Sequence, residues 1–205
     1  MERPVLKPAV PDRVADPISA VSAINVPNFL TTIRIIVVPI LAWLLFREDA
    51  ASDSNRLIAG VLFIIAALTD IADGTIARRW NLITNFGKIF DPIADKALIG
   101  VALVGLSYLN LLDWWFTWVI LARELFVTFL RFWVINKGVI PASRGGKLKT
   151  IMQIIAISFY LLPLPETVSL LAEVLMYVAV ILTLATAVDY IMKAIITDRD
   201  EIVAK

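Results

Sequence analysis

Residues Phe29–Phe46 read FLTTIRIIVVPILAWLLF. Apart from Thr31, Thr32 and Arg34 the run is apolar all round, with no polar face of the kind a surface helix of a soluble domain carries. Its length is close to the ~20 residues that cross the hydrocarbon core of a bilayer. Five more runs of this kind follow outward along the chain, at about Leu57–Ala77, Pro92–Leu112, Trp114–Asn136, Leu148–Leu164 and Thr167–Met192. Their connections are short, which predicts antiparallel neighbours. None alternates with the period of two that barrel strands show. The expected fold is all-α: a polytopic membrane bundle of six transmembrane helices in one domain, residues 25–193.

Composition supports this and removes other classes. Of the 205 residues, 60% are hydrophobic and 18% charged, against about 45–50% and 25% for a soluble domain. Mean hydropathy is +0.83. There are no cysteines and no histidines. Disulfide frameworks, thiolate or imidazole metal sites and histidine acid–base chemistry are therefore excluded. A net charge of +1 gives no overall field for nucleic acid, so no nucleic-acid partner is expected.

Residues 1–24 hold Pro4, Pro8, Pro11 and Pro17 among mixed charges, and are expected to be a disordered cytoplasmic tail, with a short interfacial helix over Ser19–Asn25. Residues 194–205 read as a solvated C-terminal tail. Lys and Arg gather in the N-terminal tail, around Arg78, Arg79, Lys88 and Lys96, around Lys137, Arg144, Lys147 and Lys149, and after Lys193. The opposite loops have only Arg47 and Arg56. This asymmetry puts both termini in the cytoplasm. Trp114, Trp115 and Trp118 then fall in an interfacial belt at the outer end of the fourth span. Arg34, Arg123 and Arg131 lie inside spans, where charge is costly and usually functional.

The second run ends TDIADGTIARRW and the third begins FGKIFDPIADKAL. Asp70 and Asp73 are i, i+3 on one helix; Asp91 and Asp95 are i, i+4 on the next. Four carboxylates can converge between two adjacent helices near their cytoplasmic ends. At membrane depth they would repel one another unless cations compensate. Oxygen ligands favour hard cations such as Mg²⁺ or Mn²⁺, and four shared carboxylates suit two ions about 4 Å apart, the arrangement used for phosphoryl transfer. Gly74 and Ala77 share the face of Asp70 and leave room beside the backbone. Arg78 can grip a phosphate, and Gly87 allows a tight connection. Simpler readings exist for each residue alone. Asp91-Pro92 resembles a helix N-cap followed by an N1 proline, Gly74 and Ala77 resemble helix-packing residues, and Arg79 and Lys88 resemble topology signals. The joint spacing is harder to dismiss.

That spacing is Asp70-x2-Asp73-Gly74-x2-Ala77-Arg78-x8-Gly87-x3-Asp91-x3-Asp95. It resembles, at every fixed position, the signature of the CDP-alcohol phosphatidyltransferase family, and the six-run pattern agrees across about residues 25–193. Further residues resemble the branch of that family that takes glycerol-3-phosphate as acceptor: Val26–Thr31 with Arg34, the DPIADKAL run, Ala122-Arg123-Glu124-Leu125 with Arg131, and Gly138–Gln153 with its Gly146-Lys147-x-Lys149-Thr150 core.

The resemblance implies a membrane enzyme of phospholipid biosynthesis. Its donor would be CDP-diacylglycerol, its leaving group CMP, and its cofactor two Mg²⁺ or Mn²⁺ ions per site. Asp70, Asp73 and Asp91 are then metal ligands, with Asp95 as general base and a further metal contact. Gly74, Ala77 and Arg78, with Asn28 and Thr31, would receive the cytidine diphosphate. Arg123, Arg131, Arg144, Lys147 and Lys149 would hold the acceptor's phosphate; for the loop cations the plainer reading is topology and anionic lipid. A homodimer in the bacterial inner membrane, its active site facing the cytoplasm, completes the expectation. Alternatives are another acceptor in the same family (inositol phosphate or phosphatidylglycerol) and, more remotely, a cation or proton transporter with carboxylates in its path.

Overall fold

A computed structural model describes the backbone of residues 26–80, 85–134 and 144–203, and within them the side chains of residues 28–69, 90–130, 145–193 and 195. The tail 1–24 and the side chains of Asp70, Asp73, Gly74, Ala77, Arg78, Arg131 and Arg144 lie outside the described residues. Every described element is helical: α1 Val26–Phe46, α2 Asp53–Trp80, α3 Asn85–Tyr108, α4 Trp114–Val134, α5 Arg144–Leu161 and α6 Ser169–Val203, with a 3₁₀ turn at Glu166–Val168 before α6.

The helix ends follow from local chemistry. Ser52 caps α2, its Oγ accepting from the Asn55 backbone N–H at 3.4 Å and from Asn55 Nδ2 at 3.0 Å. In the preceding turn Arg47 chelates Asp49 through Nε and through NH2 at 2.6 Å. That guanidinium holds the Asp49 carboxyl below the usual carboxylate range. The third apolar run extends to Leu112, yet α3 stops at Tyr108. There Asn110 adopts φ 56°, a left-handed conformation that asparagine tolerates, and Leu111 N–H bonds back to the Leu106 carbonyl at 3.0 Å. α5 ends before Pro163, and Arg56 of α2 donates to the carbonyls of Tyr160 at 3.0 Å and Leu162 at 3.3 Å, satisfying acceptors that the helix end leaves open. α6 runs past Met192 to Val203, with Lys193 paired to Asp189 at 2.7 Å.

α3 starts seven residues earlier than the sequence pattern suggests, at Asn85 rather than Pro92. This overturns two local readings. Asp91 and Pro92 are two turns inside the helix, so Asp91 is not its N-cap. Gly87 lies in the first turn of α3, not in a connection.

α1 packs against α2 and α3, α4 against α3 and α6, and α5 against α2, α3 and α6. α1 and α3 run parallel, since Thr31 meets Asp91, Arg34 meets Asp95 and Leu45 meets Gly105 in the same order. Gly105 sets the spacing between them. A Cβ there would lie 2.6 Å from Leu45 Cδ1 and 2.8 Å from Leu45 Cβ. Leu41, Leu45, Phe63, Leu103, Leu106, Ile120, Ile157 and Met176 fill the shared core.

Around that core the outer surface is apolar where that of a water-soluble protein would be polar, and several polar side chains are buried. Among the described residues the largest fully buried side chain is Arg34, and Lys149, Gln153, Thr117 and Thr183 are buried too. Outside, Phe29, Ile33, Ile36, Ile40 and Trp43 form an exposed apolar stripe along α1. Leu170, Val174, Ile181, Leu184 and Val188 form another along α6. Continuous apolar stripes of this kind are unsuited to water and suited to lipid. Two segments among the described residues, Asn28–Phe46 and Glu166–Lys193, are apolar and long enough to cross a membrane, and most of their residues are not buried inside the bundle. α2 to α5 do not meet that test among the described residues.

Candidate active site

The two described carboxylates of the signature, Asp91 and Asp95, are one turn apart on α3 and turn the same face to α1. α1 answers with two residues at matching spacing. Thr31 Oγ1 donates to Asp91 Oδ1. Arg34 NH1 donates to Asp95 Oδ1 at 2.7 Å, with the Arg34 side chain fully buried and that of Asp95 35% exposed. One end of the acid pair is thus anchored in the bundle while Asp95 still reaches the surface. Asn28 is buried one turn before Thr31, and its backbone carbonyl accepts from Thr32 Oγ1 at 2.9 Å. The structure therefore gives Thr31 a contact that the sequence does not foretell, to a carboxylate.

Asp70 and Asp73, with Gly74, Ala77 and Arg78, fall on the last three turns of α2, which ends at Trp80. Residues 81–84 separate it from α3. Among the described residues no group of three or more Asp or Glu is placed to hold a metal; the described part of the set is Asp91 and Asp95. What they offer is carboxylate oxygen alone, the donor type of a hard divalent cation. Held in orientation by Thr31 and Arg34, they fit the role of ligands whose partners fix them from behind.

A second polar layer begins at the next residue of α3. Lys96 points away from α1 and donates to Thr128 Oγ1 of α4. Thr128 Oγ1 in turn donates to the Glu124 carbonyl at 2.6 Å. Glu124 Oε1 accepts from Arg123 NH1 at 3.0 Å and from Lys149 Nζ of α5. Arg123 also donates through Nε to the Thr183 carbonyl at 3.0 Å and through NH2 to Thr186 Oγ1 at 2.8 Å, both on α6. Gln153, one turn along α5 from Lys149, donates to Thr183 Oγ1 at 2.9 Å.

Of the cations assigned to the acceptor's phosphate, the structure brings Arg123 and Lys149 together at one carboxylate oxygen. Lys147 is exposed on another side of α5. Arg131 and Arg144 have no described side chains. Sequence reasoning marks Arg34 as an intramembrane charge without a role and misses Thr128, Gln153 and Thr183. A polar residue in the middle of an apolar run is the available signal for each.

With this geometry in place, comparison with known proteins is decisive. The CDP-alcohol phosphatidyltransferase profile matches residues 24–185. The chain belongs to that family. It is therefore a phosphatidyltransferase and a membrane protein, of a family that works with a divalent metal. It is 47% identical over 171 residues to a probable phosphatidylglycerophosphate synthase of Mycobacterium tuberculosis (strain ATCC 25618 / H37Rv), covering 83% of this chain and 82% of that relative. It is 41% identical to a CDP-diacylglycerol–glycerol-3-phosphate 3-phosphatidyltransferase of Bacillus subtilis (strain 168), covering 82% of this chain and 94% of the relative. A Rickettsia typhi (strain ATCC VR-144 / Wilmington) protein of the same name is 38% identical, over 81% and 94%.

Proposed function

We propose that this phosphatidyltransferase transfers the phosphatidyl group of CDP-diacylglycerol to glycerol-3-phosphate, giving phosphatidylglycerophosphate and CMP. The observation that carries the reading is similarity over four-fifths of the chain to relatives named for that reaction, at 38–47% identity. The Asp pairs of α2 and α3 supply the matching chemistry.

Asp70, Asp73, Asp91 and Asp95 would hold two ions, Mg²⁺ or Mn²⁺. Bound there, such ions neutralise the pyrophosphate and stabilise the departing CMP. Thr31 keeps Asp91 turned toward the site, and Arg34 keeps Asp95 turned the same way. Asp95 takes the proton from the acceptor's hydroxyl. That oxygen forms the new bond to the phosphorus bearing diacylglycerol, and the bond to CMP breaks. Gly74, Ala77 and Arg78, with Asn28, receive the cytidine diphosphate. Arg123 and Lys149, together with Arg131, Arg144 and Lys147, hold the acceptor's phosphate while its distal hydroxyl reacts.

The lipid setting follows from the substrates. Donor and product keep two acyl chains in the bilayer, whereas CMP and the acceptor are water-soluble. A site at the cytoplasmic ends of six spans in the cell membrane, with both termini cytoplasmic, meets both needs. The exposed apolar stripes leave surface for a homodimer as well as for lipid.

An acceptor panel tests the proposal. Purified protein receives labelled CDP-diacylglycerol, Mg²⁺ or Mn²⁺, and glycerol-3-phosphate, inositol phosphate, inositol, serine or phosphatidylglycerol. Labelled phosphatidylglycerophosphate should form with glycerol-3-phosphate. A clear preference for any other acceptor would overturn the assignment.

A further inference from the structure

Glu124 has no part in the reaction as assigned, yet it sits where its two basic neighbours meet. Its side chain is 19% exposed, those of Arg123 and Lys149 11% and 7%. We infer that Glu124 is a positioning residue for the acceptor: it draws Arg123 of α4 and Lys149 of α5 to one oxygen and so fixes the spacing of the two cations that meet the acceptor's phosphate. This inference rests on the acceptor reading above.

The contacts support it. α6 holds Arg123 independently of Glu124, because the Thr183 carbonyl and Thr186 Oγ1 take two edges of its guanidinium. The third direction, through NH1, is spent on Glu124 Oε1 at 3.0 Å. That oxygen also accepts from Lys149 Nζ, so a flexible four-carbon side chain is held through a rigid planar one. Behind Glu124, Thr128 takes its backbone carbonyl at 2.6 Å. Gln153 ties α5 to α6 one turn from Lys149. Two cations from α4 and α5, helices that do not pack on each other among the described residues, would otherwise repel at low dielectric, and a single carboxylate offsets that repulsion. Enough donor capacity remains for a ligand. Among the described residues Lys149 spends one of its three N–H donors on Glu124.

The test uses the full chain in bilayer nanodiscs and reads KM for each substrate separately. Glu124→Gln should raise KM for glycerol-3-phosphate by about tenfold or more, the size expected for loss of a charge-assisted contact. KM for CDP-diacylglycerol should stay within about twofold. Glu124→Asp, which keeps the charge, should recover part of the loss. Combined with Lys149→Ala, Glu124→Gln should add little to the single Lys149→Ala effect, because it acts through Lys149. An unchanged acceptor KM in Glu124→Gln beside a raised one in Lys149→Ala would overturn this inference alone. An unchanged acceptor KM in both Lys149→Ala and Arg123→Ala would overturn the acceptor reading and this inference with it. Equal loss for both substrates with a lowered Tm would mark Glu124 as merely structural and overturn the inference. If Glu124→Gln does not fold, the Glu124→Asp acceptor KM decides: unchanged from wild type in both substrates, it overturns the inference.

Discussion

Arg34 of α1 donates to Asp95 of α3 at 2.7 Å, from a side chain wholly inside the bundle to one that is one-third exposed. Two helices that are not adjacent in sequence are thereby locked at the level of the acid pair. Thr31 repeats the contact one turn away, on Asp91. Both residues hold a carboxylate from the side away from solvent, which fixes its orientation.

Removing those holders should weaken metal use before it weakens the fold. Arg34→Ala and Thr31→Val are each expected to raise the half-saturating Mg²⁺ or Mn²⁺ concentration by roughly 10–100-fold, the range for partners behind a ligand. Added metal should restore part of the activity of Thr31→Val. A metal titration of turnover checks this, and an unchanged midpoint in both variants would remove α1 from the site.

Much of this is legible in the sequence, for definable reasons. An apolar run is a local property, so α1 and α6 can be placed from their composition. Fixed spacing is local too, so the i, i+4 separation of Asp91 and Asp95 is enough to put them on one face. Pairing between helices is not local. Nothing in the run FLTTIRII says that Thr31 faces Asp91, because the parallel packing of α1 on α3 is set by contacts far along both helices, at Leu45 and Gly105. The start of α3 is misplaced for a related reason. Pro92 reads locally as a helix beginning, but a proline two turns in forfeits only one hydrogen bond, and the preceding turns persist. Lys149 and Glu124 show the same limit: a carboxylate beside Arg123 is legible as a partner for part of the basic set, but which cations it takes is not.

Gly105 should be intolerant of any side chain. Gly105→Ala places a Cβ 2.6–2.8 Å from two atoms of Leu45, and overpacking of this kind costs about 1–3 kcal/mol. A lowered Tm in detergent is expected, partly restored by Leu45→Ala in the same chain. Gly60→Ala should be milder, since its nearest neighbour is Leu162 Cδ2 at 2.9 Å, the tip of a flexible side chain. Equal losses at the two glycines would contradict the close α1–α3 packing.

The six-span orientation can be read chemically, because the chain has no cysteine of its own. Single Asp49→Cys and Glu166→Cys variants should react with an impermeant maleimide on intact cells. Lys147→Cys should react only after the cytoplasmic side is opened. Labelling of Lys147→Cys from outside would reverse the topology.

Two lysines on α5 separate binding from surface charge. Lys149 is buried against Glu124, and Lys147 is exposed. Lys149→Ala should raise KM for glycerol-3-phosphate by about tenfold or more, as loss of a charged contact would. Lys147→Ala should have the smaller effect and respond more to anionic lipid content. The reverse order would move the acceptor site to the outer face of α5.

Asp95→Asn gives the most direct test of phosphatidyl transfer at the α1–α3 end of the bundle. The amide keeps the shape of the carboxylate and cannot take a proton. Binding of CDP-diacylglycerol, measured by equilibrium titration, should persist. CMP release in a single turnover with saturating glycerol-3-phosphate should fall by about 10²–10⁴-fold, the contribution typical of a general base. A loss smaller than about tenfold on that scale, with the protein folded and donor bound, would contradict the assignment of Asp95 and of the site built around it.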